Sequence, residues 1–303
     1  MPRPLTVGVQ LPEVERHVPW PELVAMARAA EAVGFDSIWV GDHLVYDMPD
    51  GTVRGPWEVW TSLAALAAVT ERVELGPLVA SLGFHEPAML AKMAATVDAL
   101  SGGRLVLGVG AGWNEREYRA FGYPFDQRVS RFEEAFGLVR RLLAGETVDH
   151  AGRFHTLERC AIDPPPARPA GPLLMVGSVA PRMLGITLPH VHRWNVWFSE
   201  YGNTPEGFAE VAARVAARCA EVGRDPAEVE GTAAVYVQVP WGTGRAMGDP
   251  TKSSPPLAGS PDQIADALRR FADAGCCHVQ LVVDPITQDS IEWLGAVLQI
   301  LDA

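Results

Sequence analysis

The chain has 303 residues, of which 48% are hydrophobic and 20% are charged, a composition typical of a globular protein with one large domain or two smaller ones. The net charge of −12 repels phosphate backbones, so nucleic acid is excluded as an expected partner. No apolar run approaches the roughly 18 residues that span a bilayer, and the N-terminus has no signal-peptide core, so we expect a cytoplasmic protein outside the membrane. The spacing of the cysteines indicates neither a metal site nor a disulfide scaffold: Cys160, Cys219, Cys276 and Cys277.

Strands and helices alternate over the first half of the chain. Short apolar runs bounded by glycine, proline or polar residues predict the strands, and apolar residues spaced three or four apart predict the helices. The predicted strands lie, in chain order, at 7–10, 37–40, 73–79 and within 101–110. The predicted helices run from about 21 to a stop at Gly34, over 57–70, from 87 to 100 and from about 130 to 143.

The same alternation continues less compactly in the second half. Strands are predicted at 173–176, 194–198, 233–239 and 278–283. Ser260 and Gln263 form a predicted capping box that opens a helix. About eight strands alternating with helices over 303 residues is the count and length of a (β/α)8 barrel, an α/β fold, and a doubly wound sheet is the alternative.

Two stretches interrupt this rhythm. Residues 145–172 are too long and too rich in proline for a plain connection, and residues 240–259 form a loop of glycine, proline and serine. We predict a single domain over 1–303 with insertions at these two places. In a barrel, the second insertion follows strand seven on the catalytic face, and our hypothesis is that it is a substrate lid, with a plain surface loop as the alternative.

Function in such a barrel collects where strands end and the following loops begin. Asp42 and His43 close strand two at that face, and an imidazole with a pKa of about 6.5 exchanges protons at cellular pH. We therefore predict that His43 is catalytic. Glu115 and Glu200 also follow strands, so paired carboxylates for glycoside hydrolysis stay an alternative, although no pair stands out.

Two common barrel chemistries are excluded. A Schiff-base aldolase needs a lysine at a strand end, but Lys92 falls in a helix and Lys252 in a loop. A metallohydrolase needs a His-x-His pair after strand one, but that strand ends in Gln10, and His190 and His192 precede strand six. We therefore expect no metal site.

Glycine and tryptophan residues near the strand ends indicate a site for a flat ligand. Gly108, Gly110 and Gly112 do not match the dinucleotide fingerprint, but they keep the backbone slim, which lets a flat ring approach. Three tryptophans in or near loops are predicted to wall the substrate pocket: Trp57, Trp113 and Trp241.

Several long stretches carry a resemblance to a known family. They are "GFDSIWVGDH", "WTSLAALAAVTERVELGPLV", "HEPAMLAKMAATVDALSGGRLVLGVGAGWNEREYRAFG", "RFEEAFGLVRRLL" with "HAGRFHTL", and "PLLMVGSVAPRML" before "WN". This set resembles the bacterial-luciferase-like superfamily, particularly its branch that uses the deazaflavin coenzyme F420. The resemblance implies a luciferase-like TIM barrel with insertions, usually dimeric, with a flavin or deazaflavin at the C-terminal mouth of the strands.

The resemblance also implies roles for individual residues. Asp42 matches a cofactor contact and His43 a proton-handling histidine. Further positions match a strand bulge that backs the ring, often through a non-prolyl cis peptide, a residue near the ring edge, and two amides that hold the cofactor phosphate: Leu78 and Val79, Asn114, and Gly177 and Ser178.

Departures from the family pattern narrow the function. Luciferases proper carry an arginine for the flavin phosphate where this chain has Ala111, and the sugar-phosphate dehydrogenases of the deazaflavin branch have a tryptophan and an acid where it has Asp47 and Trp113. We therefore predict a homodimeric F420-dependent oxidoreductase that transfers a hydride between the deazaflavin and a small organic substrate, with a separate reductase recycling the cofactor. The alternatives are an FMN-dependent monooxygenase that uses reduced flavin and oxygen, and a non-catalytic flavin or deazaflavin binder.

Overall fold

The computed structural model describes residues 3–245 and 254–303. The chain divides into two compact units. The first unit comprises Met1–Trp39, Arg72–Glu74 and Met175–Ala303, and the second unit comprises Val40–Glu71 and Leu75–Leu174. The single domain over 1–303 stays a prediction.

Strands and helices alternate through both units. The strands of the described residues are β1 (Thr6–Gln10), β2 (Ser37–Val40), β3 (Tyr46–Asp47), β4 (Val53–Arg54), β5 (Glu74–Pro77), β6 (Ala80–Ser81), β7 (Val106–Gly110), β8 (Val148–Ala151), β9 (Thr156–Cys160), β10 (Leu173–Val176), β11 (Arg193–Val196), β12 (Glu230–Gln238) and β13 (His278–Asp284). The helices are α1 (Trp20–Val33), α2 (Val59–Val69), α3 (Pro87–Leu100), α4 (Glu115–Phe121), α5 (Arg128–Leu143), α6 (Pro181–Thr187), α7 (Pro205–Glu221), α8 (Pro261–Asp273) and α9 (Gln288–Asp302). Each of the eight predicted strands overlaps a strand of this set.

The first unit is built on parallel strands. β1 pairs with β2 on one side and with β13 on the other, and the order continues through β12 and β11 to β10, every pair being parallel. β13 is buried along its whole length, as expected for a parallel strand that is covered on both faces. The carboxyl ends of these strands consequently lie at one edge of the sheet.

The second unit combines short parallel strands with helices. β6 pairs in parallel with β7, with Ala80 opposite Val109, while β3 with β4 and β8 with β9 form antiparallel hairpins. α3 packs against α2 and α5. Their facing side chains include Leu63, Leu90 and Phe132, which are at most 1% exposed and therefore form the core of this unit.

Local sequence signals account for where several helices begin and end. α1 ends before Gly34, as predicted. The helix predicted over 57–70 begins later, at Val59, because the Glu58 side chain accepts hydrogen bonds from the first amides and acts as the N-cap. The predicted capping box of Ser260 and Gln263 is confirmed at the start of α8. No helix in the ranges 3–245 and 254–303 has the length and apolarity needed to cross a membrane.

The first predicted insertion, 145–172, contains the hairpin of β8 and β9. Glu134 of α5 accepts a hydrogen bond from the His155 amide at 2.9 Å and from His150 Nε2 at 3.0 Å, so the helix anchors the hairpin. Further along, Arg168 Nη2 donates to the buried carboxylate of Asp98 at 2.6 Å. Both ends of the insertion are therefore tied to helices of the second unit.

The second predicted insertion, 240–259, is described only in part. Residues 246–253 lie outside the described residues, and the lid hypothesis falls on them. Beyond them, Leu257 pairs in parallel with Val237, and its carbonyl accepts a hydrogen bond from the Gln238 amide at 2.9 Å. The chain thus returns alongside β12 before α8 begins.

Candidate functional site

Asp42 follows β2 and is held by two donors of the second unit. Its carboxylate accepts hydrogen bonds from the Ser81 amide and from His85 Nε2, each at 2.8 Å, and it is 5% exposed. A buried carboxylate is stable only when such partners replace water. Asp42 and His85 therefore form one carboxylate–imidazole pair. The predicted role of Asp42 as a cofactor contact stays a prediction.

His43, the next residue, forms a second carboxylate–imidazole pair with Glu117 of α4. His43 Nδ1 lies 3.0 Å from Glu117 Oε2 and 3.2 Å from Oε1, and the Leu44 and Val45 amides donate to Oε1 at 2.5 Å and 3.3 Å. Asp42 and His43 are adjacent in sequence but bind different partners. The carboxylate of Asp42 pairs with an imidazole, and the imidazole of His43 pairs with a carboxylate.

The charge of Glu117 is set by these contacts. Burial, which leaves 1% of its side chain exposed, acts to raise the pKa of Glu117, but the hydrogen bonds from His43, Leu44 and Val45 outweigh it and lower the pKa. The carboxylate is consequently ionised at neutral pH and accepts a hydrogen bond from His43 Nδ1.

Two aromatic rings lie against the imidazole of His43. The ring centroid of Tyr46 is 4.8 Å from that of His43, Trp113 is 5.8 Å from His43, and the two aromatic rings are 6.3 Å apart. We call His43, Tyr46 and Trp113 the aromatic face. Trp113 is 63% exposed, so the core of the second unit does not cover this face. The structure thus brings two of the predicted site residues, His43 and Trp113, into contact.

The predicted cis peptide between Leu78 and Val79 is present at the end of β5. Leu78 is buried and Val79 half-buried, and a Cβ on Gly110 would come within 2.9 Å of Val79 Cγ2. A Cβ on Gly112, whose φ is +71°, would collide with the hydroxyl of Tyr118. The glycines of this strand end are therefore required by close packing, in addition to any approach of a flat ring.

Tyr118 connects the glycine segment to the neighbouring loop. Its hydroxyl donates to the Ala111 carbonyl at 2.9 Å and lies 2.9 Å from Ser81 Oγ. Burial raises the pKa of Tyr118, so the hydroxyl stays protonated. The loop that holds Asp42 and the loop that follows β7 are thereby fixed to each other within the second unit.

Asn114 has a structural role that the sequence did not predict. It is the N-cap of α4, and its side-chain oxygen accepts a hydrogen bond from the Arg116 amide at 3.2 Å, while its Nδ2 lies 3.5 Å from the Val45 carbonyl. This cap positions the helix that carries Glu117. The predicted contact of Asn114 with the edge of a cofactor ring stays a prediction.

The remaining predicted residues are distributed over both units. Trp57, 53% exposed, precedes α2 in the second unit, while Trp241, 46% exposed, lies in the first unit with its ring centroid 6.2 Å from that of Trp293. Gly177 and Ser178 follow β10, and Ser178 Oγ accepts a hydrogen bond from the Ala180 amide at 3.3 Å. Their roles in binding substrate or phosphate stay predictions.

The first unit buries a separate polar cluster along its strands. Ser37 Oγ lies 2.7 Å from His278 Nε2 and accepts a hydrogen bond from Trp39 Nε1 at 2.8 Å. Burial, reinforced by the positive charge of Arg193, lowers the pKa of His278 to about 3. The ring is therefore neutral at physiological pH. His278 Nδ1, Gln10 Oε1 and Gln280 Nε2 are buried and have no hydrogen-bond partner within residues 3–245 and 254–303.

The sequence did not point to Glu117 or His85, the partners of His43 and Asp42. Glu117 lies 74 residues after His43 and His85 lies 43 residues after Asp42, so no local spacing links either pair. A weak signal existed for Glu117, because a carboxylate in the first turn of the helix after β7 occupies the same edge as the end of β2 in a barrel. Among the described residues, no group of three or more His, Cys, Asp or Glu side chains could hold a metal ion.

Relatives in sequence share about two thirds of the chain. A phthiodiolone/phenolphthiodiolone dimycocerosates ketoreductase of Mycobacterium bovis (strain BCG / Pasteur 1173P2) is 31% identical over 219 residues, which are 66% of this chain and 56% of that protein. The matched region thus covers little more than half of that relative's length.

Solved structures share the fold over nearly the whole chain. An F420-dependent secondary alcohol dehydrogenase in complex with an F420-acetone adduct matches with a TM-score of 0.82 and 20% identity, covering 100% of both chains. The monooxygenase RslO1 from Streptomyces bottropensis matches with a TM-score of 0.77 and 21% identity, covering 99% of this chain and 100% of that chain. The predicted luciferase-like (β/α)8 class is confirmed, and the doubly wound alternative is not supported.

A match to a sequence model of one protein family shows to which family the chain belongs. The model of the family described as luciferase-like monooxygenase matches residues 5–240, which include β1 to β12 and every strand-end residue of the second unit described above. With this match and the shared fold, the chain belongs to the luciferase-like monooxygenase family.

Proposed function

We propose that the chain is a coenzyme F420-dependent oxidoreductase that transfers a hydride between the deazaflavin and a small organic substrate. The observation that carries this proposal is the His43–Glu117 pair, in which a buried, ionised carboxylate holds an imidazole beside the half-buried ring of Tyr46 and the exposed ring of Trp113. Such a pair gives or takes one proton at a fixed place, which is what the reduction of a carbonyl or the oxidation of an alcohol needs besides a hydride.

The residues of the second unit that would hold a flat cofactor ring are uncharged. Leu78 and Val79 follow β5, and Val79 packs beside Gly110, where an added Cβ would come within 2.9 Å of Val79 Cγ2. Leu78, Val79 and Asn114 would contact the ring. When bound, the reduced deazaflavin would supply one hydride, which carries two electrons, to a carbonyl carbon whose oxygen takes a proton, and the oxidised form would accept that hydride in the reverse direction.

The protein's own part in this chemistry is proton transfer and exclusion of water. Glu117 accepts the hydrogen bond that His43 Nδ1 donates, so Nδ1 keeps its hydrogen. Nε2 is then the nitrogen that exchanges a proton with the substrate. Tyr46 and Trp113 cover the imidazole with apolar surface, which strengthens a hydrogen bond between Nε2 and a substrate oxygen. A positioned general acid or base contributes about 10²- to 10⁴-fold to rate.

A second candidate is an FMN-dependent monooxygenase that uses reduced flavin and oxygen. The family description and the structural match to RslO1 favour it. Ala111 disfavours it, because a neutral methyl group stands where luciferases proper carry the arginine for the flavin phosphate.

In either case we propose a homodimer supplied with reduced cofactor by a separate reductase. Sedimentation equilibrium tests the dimer, and a monomer at micromolar concentration would contradict it.

Turnover experiments separate the candidates. With reduced F420 and a series of ketones under nitrogen, we expect oxidation of the deazaflavin that depends on the ketone, and no oxygen uptake in air. Oxygen consumption that depends on reduced FMN and an organic substrate would support the monooxygenase instead. Tight cofactor binding without turnover of any substrate would support a non-catalytic binder.

Substitution of His43 tests its assigned role. We expect His43→Ala to lower kcat by about 100-fold or more while F420 binding is retained, because the proton donor is lost and the ring contacts remain. His192→Ala, at an exposed turn histidine, is the matched control and keeps full activity. Full turnover by His43→Ala would remove this histidine from the mechanism.

A further inference from the structure

The position of Tyr46 in the aromatic face is fixed by the backbone. Tyr46 opens β3, where it is paired with Arg54 of β4 in an antiparallel hairpin, and its ring centroid lies 4.8 Å from that of His43. Trp113 comes from a different segment, the loop after β7, and its ring centroid lies 6.3 Å from that of Tyr46. Aromatic side chains that gather round a titratable group instead of entering the core are typical of a ligand pocket. The aromatic face is therefore a surface for apolar contact.

The arginines in the two segments that carry Tyr46 and Trp113 each interact with another group of the protein. Three carboxylate–arginine pairs have N–O distances of 3.0, 3.3 and 3.7 Å: Asp47 with Arg116, Asp50 with Arg54, and Glu115 with Arg119. Arg128 donates to the Gly112 carbonyl and lies 4.3 Å from the centre of the Phe125 ring. In residues 44–58 and 111–128, all of them described, every arginine thus has a partner, and the sequence has no lysine there. These two segments therefore present no cluster of arginines or lysines dedicated to an anionic substrate group.

From these two observations we infer that the substrates are uncharged, apolar ketones or secondary alcohols, and that Tyr46, together with Trp113, sets this preference. The inference rests on the proposed function, in which His43 exchanges a proton with the substrate oxygen. Tyr46 is a specificity-determining residue that contacts the apolar part of the substrate, while its own hydroxyl takes no part in proton transfer.

An apolar substrate site should make kcat/KM depend on the number of carbons in the ketone. Burying one more methylene group against apolar surface improves transfer out of water by a factor of about four at room temperature. In a series of straight-chain 2-alkanones from butanone to heptanone, kcat/KM should therefore rise by up to about fourfold per added carbon until the rings are covered. Glucose 6-phosphate, which carries charge and many hydroxyls, should be turned over less well than heptanone, because it offers the aromatic rings little apolar surface to bury.

Variants of Tyr46 test which residue sets the preference. We expect Tyr46→Ala to flatten the rise in kcat/KM across the alkanone series, so that heptanone loses its advantage over butanone. Tyr46→Phe should keep the slope, since only the ring is needed. Phe121→Ala, at a residue 52% exposed at the end of α4, is the matched control and should leave the slope unchanged. Circular dichroism and the thermal midpoint establish that each variant folds.

A binding experiment keeps this inference distinguishable from the proposed function. Saturation-transfer difference NMR on the protein, with 2-heptanone and glucose 6-phosphate as probes, reports contact without any turnover. We expect transfer to heptanone that is lost in Tyr46→Ala and none to glucose 6-phosphate. If F420 fails to bind but heptanone contacts this face, the proposed function is wrong and the apolar preference stands. If F420 binds and turns over ketones with no dependence on chain length, or if Tyr46→Ala keeps the slope, the preference is wrong and the function stands.

Discussion

Glu117→Gln is the substitution that most directly separates the role of the carboxylate from that of the fold. Glutamine is nearly isosteric, and its side-chain oxygen still accepts the amides of Leu44 and Val45, which donate to Oε1 of Glu117 at 2.5 Å and 3.3 Å. It no longer carries the negative charge that His43 Nδ1 faces at 3.0 Å. The local backbone should therefore stay in place while the imidazole loses its charged partner.

The expected magnitude follows from that hydrogen bond. A hydrogen bond to a charged group contributes about 1.5–3 kcal/mol, and about 1.4 kcal/mol corresponds to a tenfold change in rate. If this interaction is present in the transition state, kcat falls by about 10- to 150-fold in Glu117→Gln. The pH–rate profile should also move toward lower pH, because an imidazolium beside a neutral amide is less stable than one beside a carboxylate.

The assay is steady-state oxidation of reduced F420 by a ketone between pH 5 and 9, for the wild type and two variants. Glu115→Gln, which removes a half-exposed carboxylate two residues earlier on the same helix, is the matched control and should change neither kcat nor the profile. A thermal midpoint close to that of the wild type confirms that Glu117→Gln is folded. An unchanged kcat and an unchanged pH profile in Glu117→Gln would refute the role assigned to the carboxylate.

Further predictions concern stability. Gly112→Ala should lower the free energy of unfolding by about 2 kcal/mol or more, because the added Cβ collides with Tyr118 and the backbone φ is +71°. Gly122→Ala, at φ +78° with no atom within 4 Å of the added Cβ, should lower it by only about 1 kcal/mol. Urea titration measures both losses, and equal losses would contradict the packing explanation. His278 has its pKa lowered to about 3 in the folded state, so protonation favours the unfolded state from about pH 6.5 downward, and stability at pH 5 should be about 2 kcal/mol below that at pH 8. His278→Gln should lose this part of the pH dependence, and an undiminished slope between pH 6.5 and 5 would show that other groups cause it. Asp98→Asn should weaken the anchor of Arg168, lowering the thermal midpoint by a few degrees and speeding proteolysis within 145–172; unchanged cleavage would contradict that anchoring role.

The order of strands and helices followed from the sequence because each element carries its own signal. β2 and β10 lie at the predicted residues, since an apolar run bounded by turn residues defines a buried parallel strand without reference to its neighbours. The strand predicted over 73–79 is shorter in the structure, where it runs from Glu74 to Pro77. Boundaries failed where a side chain outside the pattern decides them, as Glu58 does at the start of α2.

The candidate site was only partly predictable for a different reason. His43 stands out locally, because a histidine that ends a strand of a barrel lies at the catalytic face. Its partner Glu117 and the partner of Asp42, His85, are brought close by tertiary structure across 74 and 43 residues. Tyr46 was likewise missed, since its ring reaches His43 only through the β3–β4 hairpin, and two-residue strands leave too short a pattern to detect.

Anaerobic titration of the purified protein with F420 and, separately, with FMN tests the central claim most directly. Tryptophan fluorescence reports binding, because Trp113 lies on the aromatic face within 5.8 Å of His43. We expect F420 to quench the tryptophan fluorescence with a Kd on the order of micromolar or tighter, and FMN to quench it weakly or not at all at the same concentrations. Tight binding of FMN with no response to F420 would contradict it and make oxygen chemistry the function of this site.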